Sequence, residues 1–336
     1  MRRFEHGGDI ASFAEKYSLR LEDVIDLSSN INFVKPHIEA NFADSVEPSL
    51  YPDYGKLRRA LASFYGSDEE SLELYTGAGS AIFSLMRFLP QRDVYLYAPL
   101  YLEYERAALA CSKRVFKIDR RECSYDEPGP SSIVVFVNPS TPDGAYHDLS
   151  KLLRICRERG CSLVIDESFL EFSAKESSIE RIAEYENLYI VRSVGKYFSA
   201  AGVRIGALLS SARNIRKISA TEPLWKISTY DCRYMNLALE DKSFARRSQE
   251  GNGEAKKILE DILRSSPYVK EFYPSEANFV LARLDGVDAP TLSRRLAQYA
   301  IMARECSNFD FLDRSYMRFA LKEPRKLYRL GEAMDA

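Results

Sequence analysis

The stretch Ile133-Val134-Val135-Phe136-Val137-Asn138-Pro139-Ser140-Thr141-Pro142-Asp143-Gly144 decides how this chain is read. Five apolar, mostly β-branched residues run straight into a turn made of Asn, two prolines and Gly. A run that is apolar at every position suits a strand covered on both faces, whereas a half-exposed strand would alternate. Similar runs recur on either side of it, at Asp93 to Tyr97, Arg114 to Ile118, Leu163 to Ile165, Leu188 to Val191 and Ile205 to Leu209. Between them Leu149, Leu152, Leu153 and Cys156 fall on one face of a helix. Strand and helix alternating from Leu74 to about Leu209 form the pattern of an α/β sheet.

After about Asp241 the texture changes. A charged helix over Ser243 to Arg264 carries Ile258, Leu259, Ile262 and Leu263 on its buried side, and Gln249-Glu250-Gly251-Asn252-Gly253 reads as a break within it. Strand-like segments follow at Lys270 to Tyr273 and Asn278 to Arg283, then a helix near Thr291 to Tyr299. Short strands near Ile301 to Arg304 and Met317 to Ala320 and a last helix after Pro324 complete a smaller α+β unit.

Composition narrows the function. The chain has 336 residues, 46% hydrophobic and 29% charged, enough to bury a sizeable core in two domains. With 47 Lys+Arg against 49 Asp+Glu the formal net charge is -2, which argues against nucleic acid or an anionic membrane as partner. Apolar runs such as Ile133 to Val137 are too short to span a bilayer. Met1-Arg2-Arg3 leads into Phe4-Glu5-His6-Gly7-Gly8 with no apolar segment, so a cytoplasmic location is expected. Cys111, Cys123, Cys156, Cys161, Cys232 and Cys306 form no CxxC pair and read as reduced thiols. Three histidines (His6, His37, His147) without HExxH give no metal site.

The residues that carry chemistry stand at the ends of strands. Gly77-Ala78-Gly79-Ser80 offers bare N–H groups at a helix start, suited to a single phosphate. Asn138 to Gly144 follows one strand, Asp166-Glu167 ends the next, and Ser193-Val194-Gly195-Lys196 follows a third, with Arg204 eight residues beyond. Ligands of open α/β sheets sit at the carboxyl ends of strands, so these groups should converge on one crevice. Taken singly each has a plainer reading: Asn138 as a turn cap, Asp166 as a helix cap, Lys196 and Arg204 as solvated charges. Together they are what pyridoxal 5'-phosphate requires: an amine for its Schiff base, an acid at its ring nitrogen, a donor at its phenolic oxygen and cations and N–H groups at its phosphate.

NPxxPxG, DE at a strand end, and SxxK with an arginine eight residues on resemble the fold-type-I pyridoxal-phosphate enzymes of the aspartate aminotransferase superfamily, over essentially the whole chain. The resemblance implies a large domain, with a mostly parallel sheet sandwiched by helices, and a smaller α+β domain. The expected division is an arm over 1–35 that contributes to the small domain and the active site, a large domain over 36–240 and a small one over 241–336. It further implies that Lys196 is the Schiff-base lysine, that Asp166 pairs with the ring nitrogen and that Asn138 donates to the phenolate oxygen. Ser193, Arg204 and the backbone of Gly77, Ala78 and Gly79 would hold the phosphate, and Tyr101 would stack on the ring. Tyr51, in Tyr51-Pro52-Asp53, matches a tyrosine that reaches the neighbouring subunit's cofactor, which implies a homodimer.

Within the superfamily the chain most resembles the L-threonine O-3-phosphate decarboxylases of cobalamin biosynthesis, with the histidinol-phosphate aminotransferases as near relatives. His6-Gly7-Gly8-Asp9-Ile10, Ser28-Ser29-Asn30-Ile31-Asn32, Phe169 after Asp166-Glu167-Ser168, and two arginines 14 residues apart, Arg304 and Arg318, carry that likeness. It implies a phosphorylated amino acid as substrate, with Arg318 taking the carboxylate and Arg304, His6 and Asn30 the phosphate; arginine's planar fork suits both groups. L-Threonine O-3-phosphate would give (R)-1-amino-2-propanol O-2-phosphate and CO2, and L-serine O-phosphate would give ethanolamine phosphate. Two departures bear on the substrate. Asp9 stands where asparagine is usual, and Ser140, Thr141 and Asp143 fill the turn differently. A cofactor-binding protein without catalysis would lack Lys196 or Asp166, and a nicotinamide oxidoreductase would need the complete GxGxxG; the sequence fits neither.

Overall fold

The computed structural model describes residues 6–122, 125 and 128–335; Met1 to Glu5 and Cys123 lie outside them. Strands in chain order are β1 (Ile25–Asp26), β2 (Leu72–Tyr75), β3 (Asp93–Ala98), β4 (Arg114–Asp119), β5 (Ile133–Val137), β6 (Ser162–Asp166), β7 (Leu188–Arg192) and β8 (Gly206–Leu209). The second half adds β9 (Val269–Phe272), β10 (Phe279–Leu284), β11 (Ile301–Met302), β12 (Arg304–Glu305) and β13 (Tyr316–Ala320). A seven-stranded sheet runs β2-β8-β7-β6-β5-β3-β4. Its pairs from β4 to β7 are parallel, while β8 is antiparallel to both β7 and β2.

The fully apolar runs are central strands, as their composition requires. Every residue of β5, β6 and β7 is buried. Alternate side chains point to opposite faces. Val134, Phe136, Leu163, Ile165, Leu188 and Ile190 therefore enter one core, and Ile133, Val135, Val137, Val164, Tyr189 and Val191 the other. Each such side chain contributes about 1.5–3 kcal/mol of burial. One sheet strand, β2, was not among the runs read from sequence, because Glu73 interrupts it. That carboxylate is buried but held by Lys226, Ser219 and Arg58.

A third core lies under the four-stranded antiparallel sheet β12-β13-β10-β9 and includes Leu259, Leu263, Val280, Leu292, Phe319 and Leu327. The expected break at Gln249 to Gly253 does not occur: the helix Phe244–Ser265 is continuous. Its glycine has a packing reason, since a Cβ on Gly251 would stand 3.1 Å from Val34 Cγ2. Asn252 Nδ2 donates to Asn32 Oδ1 (2.9 Å), and Asn32 Nδ2 donates in turn to Tyr197 O and Ser248 Oγ (both 2.8 Å). The weak helix former and the polar side chain are thus where the N-terminal segment crosses the helix.

The chain order places the switch point between β3 and β5, where successive connections leave in opposite directions. Ligands of such sheets bind at the carboxyl ends beside the switch. Reversal of β8 brings its start to that same end, and pairing of Gly206 with Tyr75 sets the end of β2 beside it. A Cβ on Gly206 would lie 2.4 Å from the backbone nitrogen of Ala78, which cannot move aside cheaply. Gly206→Ala should cost about 1–3 kcal/mol of stability, read as a lower midpoint in urea unfolding.

Candidate active site

Lys196 rises from the short helix Val194–Tyr197 that follows β7. Its Nζ lies 4.4 Å from the centre of the Phe169 ring and 5.8 Å from that of Tyr101. Burial pushes its ammonium below the ordinary lysine value; Arg318 and Arg204 push the same way, while Asp166 and Glu171 oppose them. A half-buried lysine so placed holds a neutral, nucleophilic amine at lower pH than a surface lysine.

Asp166 ends β6 with its carboxylate buried in the same crevice. Tyr104 Oη donates to Asp166 Oδ2 and the Ser168 backbone N–H to Oδ1, each at 2.9 Å. Glu167, one residue on, points to the other side of the strand end. There it pairs with buried Arg192 at 2.6 Å and accepts from Ser177 and the Ser178 N–H. Of the adjacent acids, one faces the crevice and one is structural.

Tyr101 follows β3, half-buried, with its phenol pushed up to about 12 by burial and by nearby Glu103 and Asp166. On the far side of the crevice the helix Gly77–Phe88 begins with uncapped N–H groups, because Thr76 Oγ1 donates instead to Lys226 O. Gly77 has φ +76°, and a Cβ there would meet Arg204 Nη2 at 2.7 Å. Arg204 is exposed and donates only locally, from Nη1 to Ala201 O at 2.9 Å. Ala78, Gly79, Tyr101, Asp166, Ser193, Lys196 and Arg204 line one crevice, closed by Ile31, Ser168, Val203 and Ile205.

The other residues singled out from the sequence do not line this crevice, though Arg318 and His6 come close to residues that do. Asn138 is buried, but its amide closes on the His147 backbone, donating to O (3.0 Å) and accepting from N–H (2.9 Å). The turn residue that meets a charged site group is Thr141, whose Oγ1 accepts from Arg318 Nη1 at 3.0 Å. Tyr51 is exposed and stacks on Trp225 at 4.0 Å, away from the crevice of its own chain. Arg318 is buried, donates from Nη2 to Ser28 O (3.0 Å), lies over the Phe279 ring and makes no ion pair among the described residues. Burial pushes its guanidinium down to about 10. Arg304 is its direct cross-strand neighbour and donates to Glu305 O and Asn308 Oδ1. Asn30 is buried with Oδ1 unpartnered. His6 Nε2 meets Glu103 Oε1 at 2.9 Å, and its ring lies 5.3 Å from that of Tyr101.

The two departures noted in the sequence have local explanations. Asp9 caps the helix Ile10–Tyr17 by accepting from the Ser12 N–H, which holds its carboxyl below the usual range. Asp143 is buried in an ion pair with Arg120 at 2.8 Å. The sequence reading passed over Tyr104, Ser168, Thr141 and Ser28. Only Tyr104 carried a signal, standing three residues after Tyr101 at the start of a helix.

Residues 22–333 match the family described as aminotransferase class I and II. The chain belongs to that family. The adenosylcobalamin biosynthesis bifunctional protein CobDQ of Leptospira interrogans is 28% identical over 98% of this chain, which spans only 41% of that protein. A putative threonine-phosphate decarboxylase of Caldanaerobacter subterraneus is 27% identical, over 99% of this chain and 94% of its own length. A histidinol-phosphate aminotransferase of Methanocaldococcus jannaschii is 24% identical, over 96% and 91%. Among solved structures, the histidinol-phosphate aminotransferase of Clostridium acetobutylicum superposes with a TM-score of 0.82 at 26% identity, covering 93% of this chain and 98% of that one. The Sinorhizobium meliloti enzyme, solved with pyridoxal 5'-phosphate, gives 0.82 at 16% identity over 97% and 93%.

Pyridoxal 5'-phosphate is the cofactor of this family member. The crevice fits it: Gly77 leaves room that a Cβ would fill, uncapped N–H groups and an arginine meet at one end, and a buried carboxylate stands at the other. No helix is long and apolar enough to cross a membrane among the described residues. Arg204→Ala should weaken cofactor binding about 10- to 100-fold, measured by absorbance titration of the apoprotein. The rate of cofactor capture by the apoprotein should rise with pH as Lys196 loses its proton. It should level off at a lower pH than capture by free lysine.

Proposed function

We propose that the chain is a pyridoxal-phosphate-dependent decarboxylase of an O-phospho amino acid. The substrate would be L-threonine O-3-phosphate, giving (R)-1-amino-2-propanol O-2-phosphate and CO2, with L-serine O-phosphate as the other candidate. The product belongs to cobalamin nucleotide-loop synthesis. The observation that carries this reading is the pairing of Arg304 with Arg318 across β12 and β13, two cations side by side, the buried one near enough to Lys196 to push its ammonium down. A phosphorylated amino acid brings two anions to match. The cobalamin-related relatives support it as well.

When bound, the cofactor supplies a conjugated ring that accepts the electron pair released at the substrate Cα. Lys196 would yield its place to the substrate amine and afterwards return a proton to Cα. Arg318, steadied by Thr141 and Ser28, would bind the carboxylate and orient it for loss as CO2. The Phe169 ring packs edge-on to Phe279 between lysine and arginine and would keep water from that carboxylate. Arg304, His6 and Asn30 would hold the phosphate. We further infer a cytoplasmic homodimer in which the exposed Tyr51, rigidified by Trp225, enters the neighbouring site.

The arm that carries His6 rests on Ser28: the Gly8 N–H donates to Ser28 Oγ, and a Cβ on Gly7 would lie 2.4 Å from Ser28 O. Gly7→Ala should therefore raise KM for the phospho-substrate about tenfold with kcat changed less than about threefold. The decisive assay gives loaded enzyme O-phospho-L-threonine or O-phospho-L-serine without any 2-oxo acid and measures CO2. Release that Lys196→Ala abolishes is the expected result. No CO2, but glutamate formed from histidinol phosphate, would overturn the decarboxylase and favour the aminotransferase that other relatives suggest.

A further inference from the structure

Asp166 is the acid on which the electron-withdrawing power of the cofactor ring turns, and its own surroundings are unusually spare. The carboxylate is buried, so its oxygens depend on protein donors in place of water. Two donors serve, one per oxygen: the Ser168 backbone N–H on Oδ1 and the Tyr104 hydroxyl on Oδ2. The first belongs to the main chain and stays whatever side chain is present. Among the described residues, the second is the only one that a side chain supplies.

Tyr104 has no accessible surface and packs in the core between the sheet and the helix Gly77–Phe88, with Leu85, Ala98 and Val164 in the same cluster. Water cannot substitute for its hydroxyl there. Burial and the charge of Asp166 push the phenol well above its ordinary value, so it remains a neutral donor throughout the working range. Lys196 and Tyr101 also face the carboxylate, but neither hydrogen-bonds to it.

We propose that Tyr104 is a positioning residue that fixes, through Asp166, where the proton shared with the cofactor's ring nitrogen rests. A donor on Oδ2 makes the carboxylate a weaker base and leaves that proton on the ring. Without it Asp166 becomes the stronger base, the proton moves to the carboxylate, and the ring is a neutral pyridine that draws electrons less. The effect is independent of which bond at Cα is broken. It rests only on Asp166 facing the ring nitrogen.

The test compares wild-type and Tyr104→Phe holoenzymes loaded with cofactor labelled with nitrogen-15 at the ring, read by NMR without substrate. The wild type should show a pyridinium nitrogen and Tyr104→Phe a resonance displaced toward neutral pyridine. Its kcat should fall about tenfold or more, with KM within about threefold. An unchanged resonance in a loaded variant overturns the role of Tyr104. A wild-type resonance that is already neutral pyridine overturns the placement of Asp166 instead, so the two failures are distinct. If Tyr104→Phe does not load, 3-fluorotyrosine in place of Tyr104 keeps the packing and strengthens the donor. At the pH where the wild-type nitrogen is half protonated, it should move the resonance toward pyridinium, and no movement overturns the proposal.

Discussion

The direction of one short strand organises the rest. Strand β8 runs against β7, so the chain re-enters the sheet at the edge where the parallel strands leave it. Arg204, just before β8, thereby stands beside Lys196, just after β7, although eight residues separate them. Strand β2 pairs with β8 in the same antiparallel sense and delivers Gly77 to the guanidinium. Were β8 parallel, its leading residue would emerge at the opposite edge and the anion-holding groups would be a sheet's width from the lysine. Gly206 permits this arrangement, because only a residue without a side chain lets Ala78 approach so closely.

Charge in the crevice is balanced unevenly. Lys196, Arg204 and Arg318 place three cations near one another, and Asp166 is the acid that faces them directly. Acids elsewhere that are wholly or partly buried are already engaged: Glu167 and Glu171 by Arg192, Asp143 by Arg120, Asp26 by Ser28 and Ser29. An arginine buried with no ion pair among the described residues, as Arg318 is, destabilises the protein, because its desolvation is only weakly repaid. An anionic ligand relieves that cost, which is a physical reason for the site to prefer acids over neutral amines.

Much of this was legible in the sequence because the site lies at strand ends and strand ends are easy to read. The apolar runs fell within a residue or two of the observed strands, and the order of glycine, asparagine, acid, lysine and arginine reported the cofactor. Four matters were not legible. Strand β2 was hidden because Glu73 breaks its apolar run, and only tertiary pairing with Lys226 makes that acid tolerable. The helix over Phe244–Ser265 looked interrupted because Gly251 and Asn252 are poor helix formers taken alone, whereas a crossing segment gives both a use. Which turn residue meets the site was also beyond reach. Asn138 and Thr141 are equally polar, and only the fold turns one to His147 and the other to Arg318. The contact between Tyr104 and Asp166 spans 62 positions, and the spacing of Tyr104 from Tyr101 does not point to the acid.

Asn32 ties three parts of the molecule together: its backbone N–H donates to Lys196 O, and its side chain joins Tyr197 O to Ser248 and Asn252. Ordering of the N-terminal segment and placement of the nucleophilic lysine are therefore one cooperative event. Two consequences follow for evolution and for engineering. Substitutions in the segment's first thirty-odd residues are constrained by the lysine at the centre of the molecule, not by the solvent that surrounds them. Replacing Asn32 acts on the backbone that carries Lys196, even though it leaves every residue of the sheet untouched.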